Sequence, residues 1–175
     1  MTAACALTGC SAGPLPGGSI ASPSSTAALS QTGGDAAPAH GLVAVPADCP
    51  APGSLSPLLG FTVLDPKIGR KSDALDCTYG GTYQGTTANS ALEITFHTEP
   101  DTTTTGSLKA EIQRVAKGTD ATVGSASGFG RAAYTLTDPS GSAGILILNG
   151  GVKISVVGGN GLDSVERVAR EVLSD

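Results

Sequence analysis

The chain has no Trp, and three Phe and three Tyr are its only aromatic residues among 175. So small a stock of large apolar groups excludes two independent hydrophobic cores in a chain of this length. Charge is scarce as well: 14% of residues are Asp, Glu, Lys or Arg, and the formal net charge is −5. Without clustered Lys and Arg, no nucleic-acid partner is expected. No apolar run approaches roughly 18 residues, so the sequence as read holds no transmembrane helix. Two His in all, without a His-x-x-x-His or Cys-x-x-Cys pattern, are too few ligands for a transition metal, and no cofactor is expected.

Glycine (25) and proline (11) are abundant instead, and they are unevenly placed. Between Ser11 and Ala47, 28 of 37 residues are Gly, Ala, Ser, Thr or Pro, and Asp35 is the one charged side chain. Every Lys and Arg lies at Lys67 or later, and every aromatic (Phe61, Tyr79, Tyr83, Phe96, Phe129, Tyr134) at Phe61 or later. A segment with so little apolar surface cannot offset its backbone ordering entropy. Residues 10–47 therefore read as a tether and 48–175 as the folded domain. As a random coil the tether spans about 35 Å, enough to hold a domain off a surface.

Leu7-Thr8-Gly9-Cys10 fits a bacterial lipobox. Small residues before the cysteine admit a lipoprotein signal peptidase, and the Cys10 thiol takes a diacylglyceryl anchor. Residues 1–9 then read as the remnant of a signal peptide, with Cys5 in the removed part. Such a signal needs a basic start and an apolar stretch of about 7–15 residues. The nine residues before Cys10 include no basic one, so the expected translation start lies upstream of Met1. The competing reading is an Ala-rich N-terminus with two chance cysteines.

Within the domain, Ser54 to Leu59 reads as a short helix stopped by Gly60. Phe61 to Leu64 and Ala74 to Tyr79 read as strands. Ala91 to Thr98 alternates, with Leu92, Ile94 and Phe96 on one side and Glu93, Thr95 and His97 on the other. Ser107 to Lys117 carries Leu108, Ile112 and Val115 at helical spacing, with Gly118 as its stop. Arg131 to Asp138 alternates again, and Pro139-Ser140-Gly141 turns it. Ile145–Leu148 and Val152–Val157 flank Asn149-Gly150-Gly151, a strong hairpin signal. Leu162 to Leu173 closes the chain as an amphipathic helix, with Asn160 as its expected N-cap. The order α-βββ-α-βββ(β)-α predicts an α+β fold, a mainly antiparallel sheet with helices packed on one face.

If Cys10 is lipidated, Cys49 and Cys77 remain, and an even pair in an exported domain points to a disulfide. A redox or metal role would need closer spacing or a third ligand.

The sequence of elements resembles the actinobacterial envelope lipoproteins grouped as a domain of unknown function. The matching positions are Cys10, Cys49 ahead of a short helix, and Cys77 in a strand. They continue through the Gly128-Phe129-Gly130-Arg131-Ala132-Ala133-Tyr134 segment and the last helix. Tyr79 stands where that family often has Trp, and Arg131 and Ala132 where it often has acidic residues. The resemblance implies a tethered extracytoplasmic domain without assigned catalytic chemistry.

A nucleophile needs a base, and His97 is the one histidine inside the domain, expected on the solvent side of its strand. Its acidic companions would be Glu93 or Glu99. Gly124-Ser125-Ala126-Ser127-Gly128 puts Ala126 where a nucleophile elbow needs Ser. Gly158-Gly159-Asn160-Gly161 lacks the Lys of a phosphate loop, and Asp163 and Glu166 follow it. Lys67, Arg70 and Lys71 read as a small basic loop. Gly128 and Gly130 are expected at a tight backbone approach, with Tyr134 in the core and its hydroxyl at the rim. The expectation is a non-enzymatic lipoprotein on the outer face of the cell membrane, binding an envelope protein or small ligand. An extracytoplasmic sensor or solute-binding domain is the alternative, and an envelope hydrolase a third reading.

Overall fold

Glycines at positive φ, seven of them among the described residues, and one capped helix start set the chain's path. The computed structural model describes residues 44–174 apart from Asp101, Gly159 and Asn160. The expectations for Cys5, Cys10, the tether up to residue 43 and the Asn160 cap lie outside the described residues. Helix α1 (Pro52–Leu59) starts on Pro52, whose missing N–H would be unpaired there anyway, and ends where Gly60 turns left-handed at φ 72°. Strands β1 (Thr62–Arg70), β2 (Ala74–Tyr83) and β3 (Thr86–Thr98) follow. Then come helix α2 (Thr105–Thr119), strands β4 (Thr122–Ser125), β5 (Ala132–Thr137), β6 (Ala143–Asn149) and β7 (Val152–Gly158), and helix α3 (Leu162–Ser174).

The seven strands form one antiparallel sheet in the order β1-β2-β3-β7-β6-β5-β4. Two meanders, β1–β3 and β4–β7, are joined where β3 pairs with β7. The α+β class is as the sequence predicts.

The helices are not all on one face, however. Leu55 and Leu59 of α1 and Val165, Val168, Ala169 and Val172 of α3 pack in one core with Cys77, Ile94, Phe96, Ile145, Ile147 and Ile154. Leu108 of α2 packs against Ala132 and Leu148, which alternate with Ala133 and Ile147 and so point to the opposite face. Strand β6 explains the difference. Its run AGILILN is buried at six of seven positions, and a strand apolar on both sides must be covered on both sides.

Three local expectations are also corrected. Gly118 does not stop α2; it lies inside the helix, which ends at Asp120 in the left-handed region (φ 54°). Thr104, the third of four consecutive threonines (Thr102 to Thr105), starts α2 as a capping box. Its Oγ1 accepts the Ser107 N–H at 3.1 Å, while Ser107 Oγ accepts the Thr104 N–H at 3.0 Å. Two strands run beyond their expected limits at Tyr79 and Ala91: β2 continues to Tyr83 and β3 begins at Thr86, joined by Gln84-Gly85. Lys67 and Arg70 lie in β1 rather than in a loop, and only Lys71 is in the turn that follows.

Cys49 and Cys77 form a disulfide. It fastens the segment ahead of α1 to the middle of β2, where Cys77 is fully buried. The neighbouring Tyr79 does the same by hydrogen bond, its hydroxyl donating to the Pro50 carbonyl at 2.7 Å. Burial pushes the Tyr79 phenol above its ordinary range.

Candidate functional site

Helix α2 covers only part of the second face, and along its edge it leaves a groove of about 250 Å³. Ile112 and Val115 of α2 form one wall; Leu136, Leu146 and Val157, from β5, β6 and β7, form the floor. Val115 and Val157 are 49% and 42% exposed, so the apolar surface continues onto the rim. Alternation along β7 produces this arrangement: Val152, Ile154 and Val156 point into the main core, leaving Lys153, Ser155 and Val157 for the groove side.

One end of the groove is polar. Lys153 stands directly across the β3–β7 pair from His97. Its ammonium lies 3.0 Å from Glu99 Oε1 and 3.2 and 3.3 Å from the two carboxylate oxygens of Glu111. The other Glu99 oxygen accepts the Thr103 hydroxyl at 2.9 Å. Burial alone would raise the Glu99 carboxyl. Hydrogen bonds from Lys153 and Thr103, with the lysine charge, outweigh it and hold that carboxyl below the ordinary range. For Lys153, burial works to lower the ammonium, and its two carboxylate partners prevail and hold it above the ordinary range. The cluster links the connector before α2, α2 itself and β7. Arg131 adds a further tie by donating to the Thr103 carbonyl.

His97 is half-buried at this end of the groove rather than open to solvent. Its proposed companions are poorly placed to serve it. Glu99 has both oxygens engaged, and Glu93 lies four positions back on the same strand, about 13 Å away.

Of the other sequence-derived positions, Gly128 and Gly130 lead into the main core on the far side of the sheet, whereas Tyr134 shares the face that α2 covers. Gly128 and Gly130 take φ values of 79° and 87° and turn the chain so that Phe129 enters the main core. The Arg170 guanidinium of α3 lies 4.3 Å from the Phe129 ring centroid. A Cβ on Gly130 would come within 2.8 Å of Asn149 Oδ1. Tyr134 is half-buried beside Leu108 and Leu148 under α2. The fully buried tyrosine is Tyr79.

The Glu99–Lys153–Glu111 cluster was not identified from sequence. Lys153 and Glu111 are 42 residues apart, and their meeting depends on α2 crossing to the second face. Among the described residues no group of three or more His, Cys, Asp or Glu is placed to hold a metal ion, and no helix is long and apolar enough to cross a membrane. No protein-family model matches the chain, and no curated protein or solved structure matches it.

Proposed function

We propose that this chain is a non-enzymatic lipoprotein of the bacterial cell envelope, anchored through Cys10 and carried on the outer face of the membrane by residues 10–47. Its folded domain is a binding or accessory module, and the α2 groove takes an apolar group from an envelope protein or small ligand. The observation that carries this reading is the satisfied state of the groove's polar end. Lys153 pairs with both carboxylate neighbours, and Thr103 fills the remaining Glu99 oxygen. Those groups are committed to holding α2 on the sheet, while the walls beside them offer uncommitted apolar surface. Such an arrangement supports binding over turnover.

The test is thermal stability of the purified chain against fractions of an envelope extract. A ligand at about a hundred times its Kd stabilises by about 2.7 kcal/mol, several degrees in Tm. The expected result is a fraction that raises the Tm of the wild type but not of Val157→Glu, whose exposed position leaves the core untouched. No shift in any fraction contradicts the groove's role. A graded response that also changes α2 protection from hydrogen exchange would favour the sensor alternative.

A further inference from the structure

The β2–β3 hairpin extends beyond the core as an arm. Residues 83–90 are exposed throughout, so neither face of the arm is held by burial. Its loop is Gln84-Gly85, with φ of 48° and 80°. Two successive positive φ values fit the tight hairpin turn in which Asn-Gly is the low-energy choice. Gln84 is one of two non-glycine residues at positive φ among those described. Its amide nitrogen donates to the Tyr83 hydroxyl at 3.3 Å, orienting a ring that is 59% exposed.

At the base of the arm, Gly81 admits the Phe61 ring against the strand backbone: a Cβ there would lie 2.4 Å from that ring. Gly81 and Tyr83 share one face, so the two aromatic stations sit about 7 Å apart along the strand. With Thr86, Ala88 and Ser90 of β3 they line a cleft of about 440 Å³, within the usual span of small-molecule sites. Every residue lining it is uncharged.

We propose that this cleft binds a neutral carbohydrate. The C–H face of a sugar ring is apolar and lies flat on aromatic rings, and its hydroxyls both donate and accept. Gln84, Thr86 and Ser90 offer uncharged groups that also do both. A charged ligand finds no counter-ion here, and a wholly apolar one strands these polar groups without partners. The site is separate from the α2 groove and needs no lipid anchor to operate.

The test is an NMR titration of the purified full chain with neutral oligomers of glucose, mannose and N-acetylglucosamine, and with an anionic uronic-acid oligomer. The expected result is saturable shifts confined to residues 61 and 81–91 with at least one neutral oligomer. Tyr83→Ala should weaken that binding about tenfold. Gln84→Gly separates binding from folding. It removes the cost of positive φ at a non-glycine, so stability should hold or rise while affinity falls about threefold or more. Absence of shifts with every neutral oligomer overturns the proposal. So does equal binding of the uronic-acid oligomer, or affinity unchanged in Tyr83→Ala.

Discussion

Replacing Cys49 and Cys77 together with Ala removes a bond between positions 28 residues apart. On the chain-entropy account, opening that loop costs about 3–4 kcal/mol at 25 °C. Cys77 is fully buried among Leu75, Tyr79 and Ile94, so loss of its sulfur adds about 1 kcal/mol for the space left behind. A total near 4–5 kcal/mol is a large share of the 5–15 kcal/mol that ordinarily holds a domain together. It should lower Tm by about 12–20 °C for a domain of this size. Urea unfolding followed by far-UV circular dichroism reads both the stability and the slope m. The expected result is a lower midpoint with a steeper m, because the unfolded chain is no longer held closed. A loss below about 1 kcal/mol with unchanged m would refute the reasoning. It would mean that packing, with the Tyr79–Pro50 hydrogen bond, already fixes the segment ahead of α1.

Other substitutions probe the remaining contacts. Gly130→Ala combines positive φ with a 2.8 Å contact to Asn149, whereas Gly141 has φ 89° and open space around it. Denaturant curves should show about 1 kcal/mol lost for Gly141→Ala and about 2–3 kcal/mol for Gly130→Ala. Tyr79→Phe should cost about 1 kcal/mol at neutral pH by leaving the Pro50 carbonyl without its donor. Because burial raises the folded phenol's pKa, its contribution is intact below about pH 10 and is lost as pH climbs through the folded value. Wild-type stability should therefore fall more steeply above that pH than the variant's. Glu99 has the opposite sign: its folded pKa is lowered, so its contribution is present above the ordinary carboxylate range and lost as pH falls through the folded value. Lys153→Met should cost about 1 kcal/mol near pH 7, and the gap should close in acid, as urea curves at several pH values would show.

Much of the domain was legible because its signals are local. Asn149-Gly150-Gly151 between two apolar runs specifies the β6–β7 hairpin, and the valine spacing from Val165 to Val172 specifies the buried side of α3. The β2–β3 arm was missed because its residues 84–90 carry no large apolar side chain, leaving no alternation to read, and Gln-Gly is a weak turn signal. The side chosen by α2 was missed for a different reason. Its apolar positions show that the helix is buried on one side but not on which face of the sheet. The continuous apolar run Ile145–Leu148 is the one sequence feature that points to a covered second face. The α2 groove follows from that placement, since Glu99, Glu111 and Lys153 come from three separate elements. Tyr79 rather than Tyr134 became the core tyrosine because it faces the main core shared with α1, whereas Tyr134, on a strand equally close to an edge, faces the smaller side covered by α2.

The most direct test of the proposed role is lipidation at Cys10. The gene, expressed with its upstream region in a bacterial host, would be fed a clickable fatty acid, and wild type compared with Cys10→Ala. The account expects label on the wild-type protein alone, in the membrane fraction, with the variant unlabelled and released. An unlabelled wild-type protein in the cytoplasm would contradict the anchor, the extracytoplasmic location and the envelope partner together.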